Sequence, residues 1–194
     1  MRIVGGEFRG RHLATPKTDA IRPTTDRNRE TLFNVLAHRG GFTLDGSRVL
    51  DLFAGTGALG LEALSRGARF CLFIEEGVEG RGLVRENVEA FGLQGRSKIF
   101  RRDATRLGGV STMEPFSCLF ADPPYGQRLG EAALVSARDG GWLKPGALVV
   151  VEEAVSAPFE TPDGFTLEEE RAMGETVLRF LVAASDSASL KPAT

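Results

Sequence analysis

The sequence predicts a doubly wound α/β domain, with a mostly parallel sheet of seven strands that ends in an antiparallel hairpin. Three observations carry this. Several short segments are apolar almost without interruption, as in "RFCLFI" and "GALVVVEE", which argues for strands buried on both faces and hence a parallel sheet flanked by helices. These segments alternate with helix-like ones. After residue 164 the alternation stops, and "FTLEEERAMGETVLRFLV" reads as two strands about Met173-Gly174, a hairpin on the sheet edge.

The elements follow in order. "RIVGGEFRGRHL" punctuates apolar residues with glycine and reads as a short hairpin within an N-terminal basic extension, residues 1–25. In "IRPTTDRNRETLFNVLAHRGG" a loop leads into a helix. Thr25 or Asp26 can cap it, Leu32, Phe33, Val35 and Leu36 give it one apolar side, and Gly40-Gly41 stops it. The main domain, residues 26–184, continues with a strand at 48–53, a helix at 58–67 and a strand at 69–74. A helix follows through "LVRENVEAF"; Gly77, Gly80 and Gly82 weaken its start, each by about 1 kcal/mol relative to alanine. Further strands are expected at 97–103, 116–122 and 146–153, with no element assigned between Tyr125 and Gly146. The small polar residues 185–194 read as a disordered tail.

Composition narrows the function. The chain has 194 residues, enough for one well-buried domain, and no apolar run near the length of a membrane span. "MRIVGGEFRGR" lacks the features of a signal peptide. Cys71 and Cys118 both fall in apolar strands, where buried thiols are expected rather than a disulfide or a metal site. A reducing, cytoplasmic setting follows, with no metal and no membrane partner. Net charge is −2, which argues against a general nucleic-acid binder. Residues 1–29, however, hold seven Lys/Arg against three acids, a local +4 that leaves −6 on the remainder. A basic arm on an acidic body can steer toward phosphate.

Ligands in such sheets bind beyond the carboxyl ends of the strands. Polar residues that interrupt this sequence sit at those ends. Gly55, Gly57 and Gly60 in "DLFAGTGALG" have the G-x-G-x-x-G spacing between a strand and a helix, where glycine permits a tight turn and close approach of a ligand. Glu75 ends the second strand and can accept from both hydroxyls of a ribose, although its neighbour Glu76 offers the same group. Asp103 ends the third strand and can accept from an adenine amino group, or equally cap the helical turn that starts at Ala104. Up to this point a nicotinamide cofactor and S-adenosyl-L-methionine fit alike.

The fourth strand end separates them. Asp122-Pro123-Pro124-Tyr125 places a carboxylate, a stiffened backbone and the chain's only tyrosine where a substrate would meet a cofactor's reactive end. The amine of an aromatic base is a poor nucleophile because its lone pair is delocalised into the ring. The Asp122 carboxylate and the Pro123 carbonyl could each take one N–H and so aim the nitrogen, while Tyr125 stacks on the base, a contact worth about 1–3 kcal/mol. A base within a nucleic acid must be turned outward to reach such a pocket.

The glycine segment, Glu75, Asp103 and "DPPY" together resemble the Rossmann-like class I S-adenosyl-L-methionine-dependent amino-methyltransferases. More narrowly, "MRIVGGEFRGRHL", "RPTTDRNRETLFNVL" and "VLDLFAGTGALGLEALSRGA" resemble the RsmD-type enzymes, which methylate the exocyclic N2 of a guanine in bacterial 16S rRNA. The likeness runs from Met1 to about Glu153. "DPPY" alone is shared with DNA adenine and cytosine amino-methyltransferases. The resemblance implies Asp51, Phe53, Ala54, Gly55 and Gly57 around the methionine part of the cofactor. It implies Glu75 on the ribose, Asp103 with Ala104 on the adenine, and Asp122, Pro123, Pro124 and Tyr125 at the guanine. Arg22, Pro23 and Thr24 would border the pocket, with Arg9, Arg11 and Arg27 toward RNA phosphate. The partner it implies is 16S rRNA; the shortness of the basic arm points to a small ribosomal subunit or an assembly intermediate as its setting, and a monomer is the default. The sequence departs from the family at "EGVEGRG", whose glycines suggest a looser rim beside the adenosine. The alternatives are a DNA amino-methyltransferase, for which no segment is large enough to read bases, an inactive module of the same fold, and a nicotinamide oxidoreductase.

Overall fold

The structure, a computed structural model, describes residues 1–16 and 25–185. Five strands form the parallel core: β1 (Arg48–Leu52), β2 (Phe70–Ile74), β3 (Ser97–Phe100), β4 (Phe116–Ala121) and β5 (Leu143–Ala154). The hairpin β6 (Phe165–Met173) and β7 (Thr176–Ala183) joins antiparallel to β5 through β7. The sheet order is β3-β2-β1-β4-β5-β7-β6. It reverses between β1 and β4, the place where such sheets open a crevice. The hairpin turns at Gly174, whose φ of 68° lies in the left-handed region open to glycine.

Alternation along the strands divides the core. Val49, Cys71, Phe73, Phe120 and Val150 face one side, where they meet α1 (Asp26–His38), α2 (Ala58–Ser65) and α3 (Val78–Ala90). Leu50, Leu72, Leu119 and Val149 face the other, against α4 (Leu129–Asp139) and Trp142. Helix α4 fills the stretch that the sequence reading left unassigned, burying Ala133, Leu134 and Ala137 at helical spacing. Both cysteines are free and buried, and burial pushes both thiols up. No helix among the described residues is long and apolar enough to cross a membrane.

Helix α1 is capped by Thr25, whose side chain accepts from Asn28 N at 3.2 Å, which settles the choice between Thr25 and Asp26. Helix α3 starts earlier than the glycines suggest, at Val78. Gly80 is there because an added Cβ would lie 2.8 Å from the Glu75 side chain, so tertiary packing overrides helix propensity.

The N-terminal residues form a loop closed by one isolated antiparallel bridge, Arg2 to His12, rather than the expected hairpin of strands. Ile3, Phe8 and Leu13 enter the same core as α1, α2 and α3. The loop's tip presses on the end of α2, with Glu7 N donating to Ser65 O at 2.7 Å and Phe8 N to Ser65 Oγ at 2.9 Å. Buried charge fastens this region. Glu62 of α2 accepts from Val4 N at 2.9 Å and pairs with Arg66 at 2.7 Å and Arg29 of α1 at 3.5 Å; the Glu62 and Arg29 side chains are fully buried. Arg29 counts in the basic arm by sequence, yet its charge is spent inside the protein.

Removing one member of a buried ion network leaves the others uncompensated. Glu62→Ala should therefore lower the free energy of unfolding in urea by about 3–5 kcal/mol, whereas a loss below about 1 kcal/mol would equate the network with surface pairs.

Candidate functional site

The carboxyl ends of β1, β2, β3, β4 and β5 open into a cleft of about 780 Å³. After β1 the chain turns through Phe53, Gly55 and Gly57, all left-handed, with φ of 57°, 56° and 77°. Phe53 is the unusual one, since a side chain in this region costs about 1–2 kcal/mol. Phe53 and Gly55 line the cleft, as do Thr56 and Ala58 just beyond. Ala54 and Gly57 shape the turn beneath: Ala54 N donates to Ile74 O at 3.0 Å, and Gly57 N to Ala54 O at 2.7 Å. Gly60 lets α2 sit on the sheet, because a Cβ there would meet the Phe73 ring at 2.4 Å and Cys71 Sγ at 2.5 Å.

Asp51 lies under this turn and is 2% exposed, its Oδ2 accepting from Gly60 N at 3.0 Å. It braces the turn and is not among the cleft-lining residues. Burial pushes its carboxyl well above the usual carboxylate range; the nearby Asp122 and Glu75 add to this, and the Gly60 hydrogen bond offsets part of it.

Glu75 ties two strand ends together. Its Oε2 accepts from Gly55 N at 2.8 Å and its Oε1 from Gly77 N at 2.7 Å. Glu76 is exposed at the rim, and Arg81 donates to its backbone carbonyl. Both carboxylates border the cleft, but Glu75 is the one drawn against the glycine turn. Two of the three glycines of "EGVEGRG", Gly77 and Gly80, follow from this contact, while an added Cβ at Gly82 would meet nothing within 4 Å. A Cβ at Gly77 would lie 3.0 Å from Glu75 Oε1, and one at Gly80 would lie 3.0 Å from Gly55 O as well as against Glu75. They let the loop close tightly, so the looser rim suggested by sequence is not what these glycines make.

Asp103 and Ala104 line the cleft below the end of β3. Asp103 caps the 3-10 turn Ala104–Arg106: its Oδ1 accepts from the Thr105 hydroxyl at 2.7 Å and from Thr105 N at 2.8 Å. Those bonds hold its carboxyl below the usual range. Capping and a place in the cleft coexist.

Asp122, Pro123, Pro124 and Tyr125 line the cleft together at the end of β4. Two consecutive acids at the end of β5 hold this loop. Glu152 Oε1 accepts from the Tyr125 hydroxyl at 3.1 Å, and Glu153 Oε1 from Gly126 N at 3.0 Å. Sequence reasoning missed Glu152, which also borders the cleft. Its signal was available, an acid directly after the apolar run Ala147–Val151, as Glu75 directly follows β2. Thr25 and Asn28 of the α1 start, Arg102, and Thr176 of β7 complete the walls without any sequence motif to announce them.

The basic residues are dispersed. Arg22, Pro23 and Thr24 fall outside the described residues. Arg27 is exposed beside Asn28. Arg9 is exposed at the tip of the N-terminal loop. Arg11 lies over the Phe91 ring at 4.3 Å and donates to Ala90 O, at the far end of α3 from the cleft, about 20 Å along a helix rising 1.5 Å per residue. Among the described residues no group of three or more His, Cys, Asp or Glu could hold a metal ion.

Residues 1–182 match the family described as Conserved hypothetical protein 95. The chain belongs to this family. It is 38% identical over 181 residues to Ribosomal RNA small subunit methyltransferase D of Escherichia coli K12, covering 92% of this chain and 88% of that one. It is 34% identical over 176 residues to the protein of the same name in Haemophilus influenzae, covering 90% and 89%. The solved structure of yhhF of Escherichia coli matches with a TM-score of 0.81 at 34% identity, over 96% of this chain and 99% of that one. The resemblance seen in the sequence is therefore one of membership. The fold is that of the class I methyltransferases, and the family member described here is a methyltransferase.

The state of Asp51 gives a pH test. An ordinary aspartate ionises in the unfolded chain near pH 4, whereas Asp51 in the fold resists ionisation. Stability tied to its proton is complete below that pH and is lost as pH rises toward the folded value. Asp51→Asn keeps an acceptor for Gly60 N without the charge. Its stability relative to wild type, measured by urea unfolding across pH, should rise from about pH 4 toward neutrality. A difference independent of pH would contradict this.

Proposed function

We propose that the chain transfers a methyl group from S-adenosyl-L-methionine to the exocyclic N2 amine of a guanine in 16S rRNA. It does so as a cytoplasmic monomer acting on the small ribosomal subunit or an assembly intermediate. The observation that carries this is the meeting in one cleft of the glycine turn, Glu75, Asp103 and the Asp122-Pro123-Pro124-Tyr125 loop, each at a strand end.

The residues present fit the cofactor. The Glu75 carboxylate stands beside a backbone kept bare by Gly55, Gly77 and Gly80, space that Cβ atoms at Gly77 and Gly80 would fill. Glu75 is suited to ribose hydroxyls, with Glu76 at the outer rim. Asp103 and Ala104 are suited to the adenine, and Phe53 and Gly55 to the methionine part, on a turn that Asp51, Ala54 and Gly57 maintain. When bound, S-adenosyl-L-methionine supplies an electrophilic sulfonium methyl group.

The protein's own contribution is alignment, which can supply several kcal/mol of a barrier. The Asp122 carboxylate and the Pro123 carbonyl accept the two N–H groups of the target amine and turn its lone pair out of conjugation. Pro124 stiffens the loop, and Tyr125 stacks on the extruded base. Arg9, Arg11 and Arg27, with Arg22, Pro23 and Thr24, serve the RNA backbone, so affinity should fall steeply with salt.

Nucleoside mass spectrometry tests the proposal on small subunits that lack base methylation. Wild type should produce N2-methylguanosine, and Asp122→Ala should lower that rate by about 100-fold while leaving cofactor affinity within about threefold. No methylated guanosine on subunits or naked rRNA would refute the substrate. A parallel loss of cofactor affinity would refute the role of Asp122.

A further inference from the structure

The Asp122 and Pro123 acceptors suit any amine on an aromatic base, and "DPPY" serves adenine and cytosine enzymes as well. Something else must choose the base. Beside the amine, guanine carries a ring N1–H, which is a donor. Adenine and cytosine carry a bare ring nitrogen in that place, which is an acceptor. A second acceptor next to the amine clamp would therefore favour guanine and repel the other two.

The parallel register pairs Ala121 of β4 with Val151 of β5. The next residues along these neighbouring strands are Asp122 and Glu152, with strands about 4.8 Å apart. Both line the cleft. Glu152 is 5% exposed, low in the cleft wall, with Oε1 on the Tyr125 hydroxyl at 3.1 Å. A carboxylate has two oxygens and about four lone-pair positions, so a hydrogen bond accepted from tyrosine does not by itself fill it. Two carboxylates side by side match the adjacent N1–H and N2–H donors of a guanine edge.

We propose that Glu152 selects guanine by accepting its N1–H while Asp122 and Pro123 hold the neighbouring amine; this rests on the guanine-N2 reading above. The same carboxylate fixes the tyrosine that stacks on the base, so stacking and edge recognition share one anchor. An acceptor left facing a bare ring nitrogen penalises the wrong base more than a lost contact would.

The experiment compares two substrates: small-subunit rRNA assembled by ligation with guanine or with 2-aminopurine at the mapped target position. 2-Aminopurine keeps the amine and presents a bare ring nitrogen beside it. Wild type should prefer guanine in kcat/KM by about 10- to 100-fold. Glu152→Gln, which can turn an amide N–H toward the bare nitrogen, should reduce that preference at least about tenfold. Glu152→Ala, which removes the acceptor without adding a donor, should reduce it too and serves if the glutamine variant does not fold. Tyr125→Phe should slow both substrates and leave the ratio in place. An unchanged ratio in the Glu152 variants, or an equal fall in Tyr125→Phe, would overturn the proposal and leave Glu152 as a support for Tyr125 alone. Failure of wild type to methylate the guanine substrate would instead overturn the guanine-N2 reading, and this inference with it.

Discussion

The carboxylate of Glu75 accepts from Gly55 N and Gly77 N, so the turn after β1 and the loop after β2 are held by one side chain. A charged acceptor with two backbone donors is among the stronger contacts a partly buried site can hold. Its geometry admits little bulk. Gly55 takes the left-handed backbone, and Gly77 and Gly80 leave room that any side chain would occupy. Helix α3 then begins at Val78 with Gly80 in its first turn, and the helical cost of that glycine is met by the closure it allows. A cleft edged by backbone is the result, and the chemistry along it depends on that closure.

The rest of the fold supplies rigid positions for this arrangement. Strict alternation along β1, β2 and β4 sends side chains to two separate cores and leaves only the strand ends free for polar work. Asp51 is an exception within a strand, buried beneath the glycine turn and held by Gly60 N. The Glu62 network fastens α1 to α2 and to the N-terminal residues, which keeps Thr25 and Asn28 at the cleft mouth. At the opposite wall, Glu152 and Glu153 hold the Tyr125 loop from β5. Each strand of the parallel core thus contributes a wall or a brace.

Most of this was legible in the sequence where a residue's role is local or tied to its strand end. Near-continuous apolar runs marked several strands, the glycine spacing marked Gly55, and the acids beyond the runs marked Glu75, Asp103 and Asp122. What escaped depends on distant partners. Gly80 reads as a weak helix start until the Glu75 side chain is set against it. Arg29 reads as part of a basic arm until Glu62 appears beside it, 33 residues along the chain. Helix α4 had a legible stripe in Ala133, Leu134 and Ala137, overshadowed by the two prolines before it. Glu152 follows an apolar run with nothing local to mark it, because its link to Tyr125 crosses from one strand to the next.

The central claim is that the strand-end acceptors hold the amine of a flipped guanine. A crystal structure with S-adenosyl-L-homocysteine and an RNA fragment bearing the target guanine tests it most directly. The account predicts the guanine out of the RNA stack, its exocyclic nitrogen within about 3 Å of both the Asp122 carboxylate and the Pro123 carbonyl, and the Tyr125 ring on its face. A guanine held elsewhere, or an amine facing neither acceptor, would contradict it.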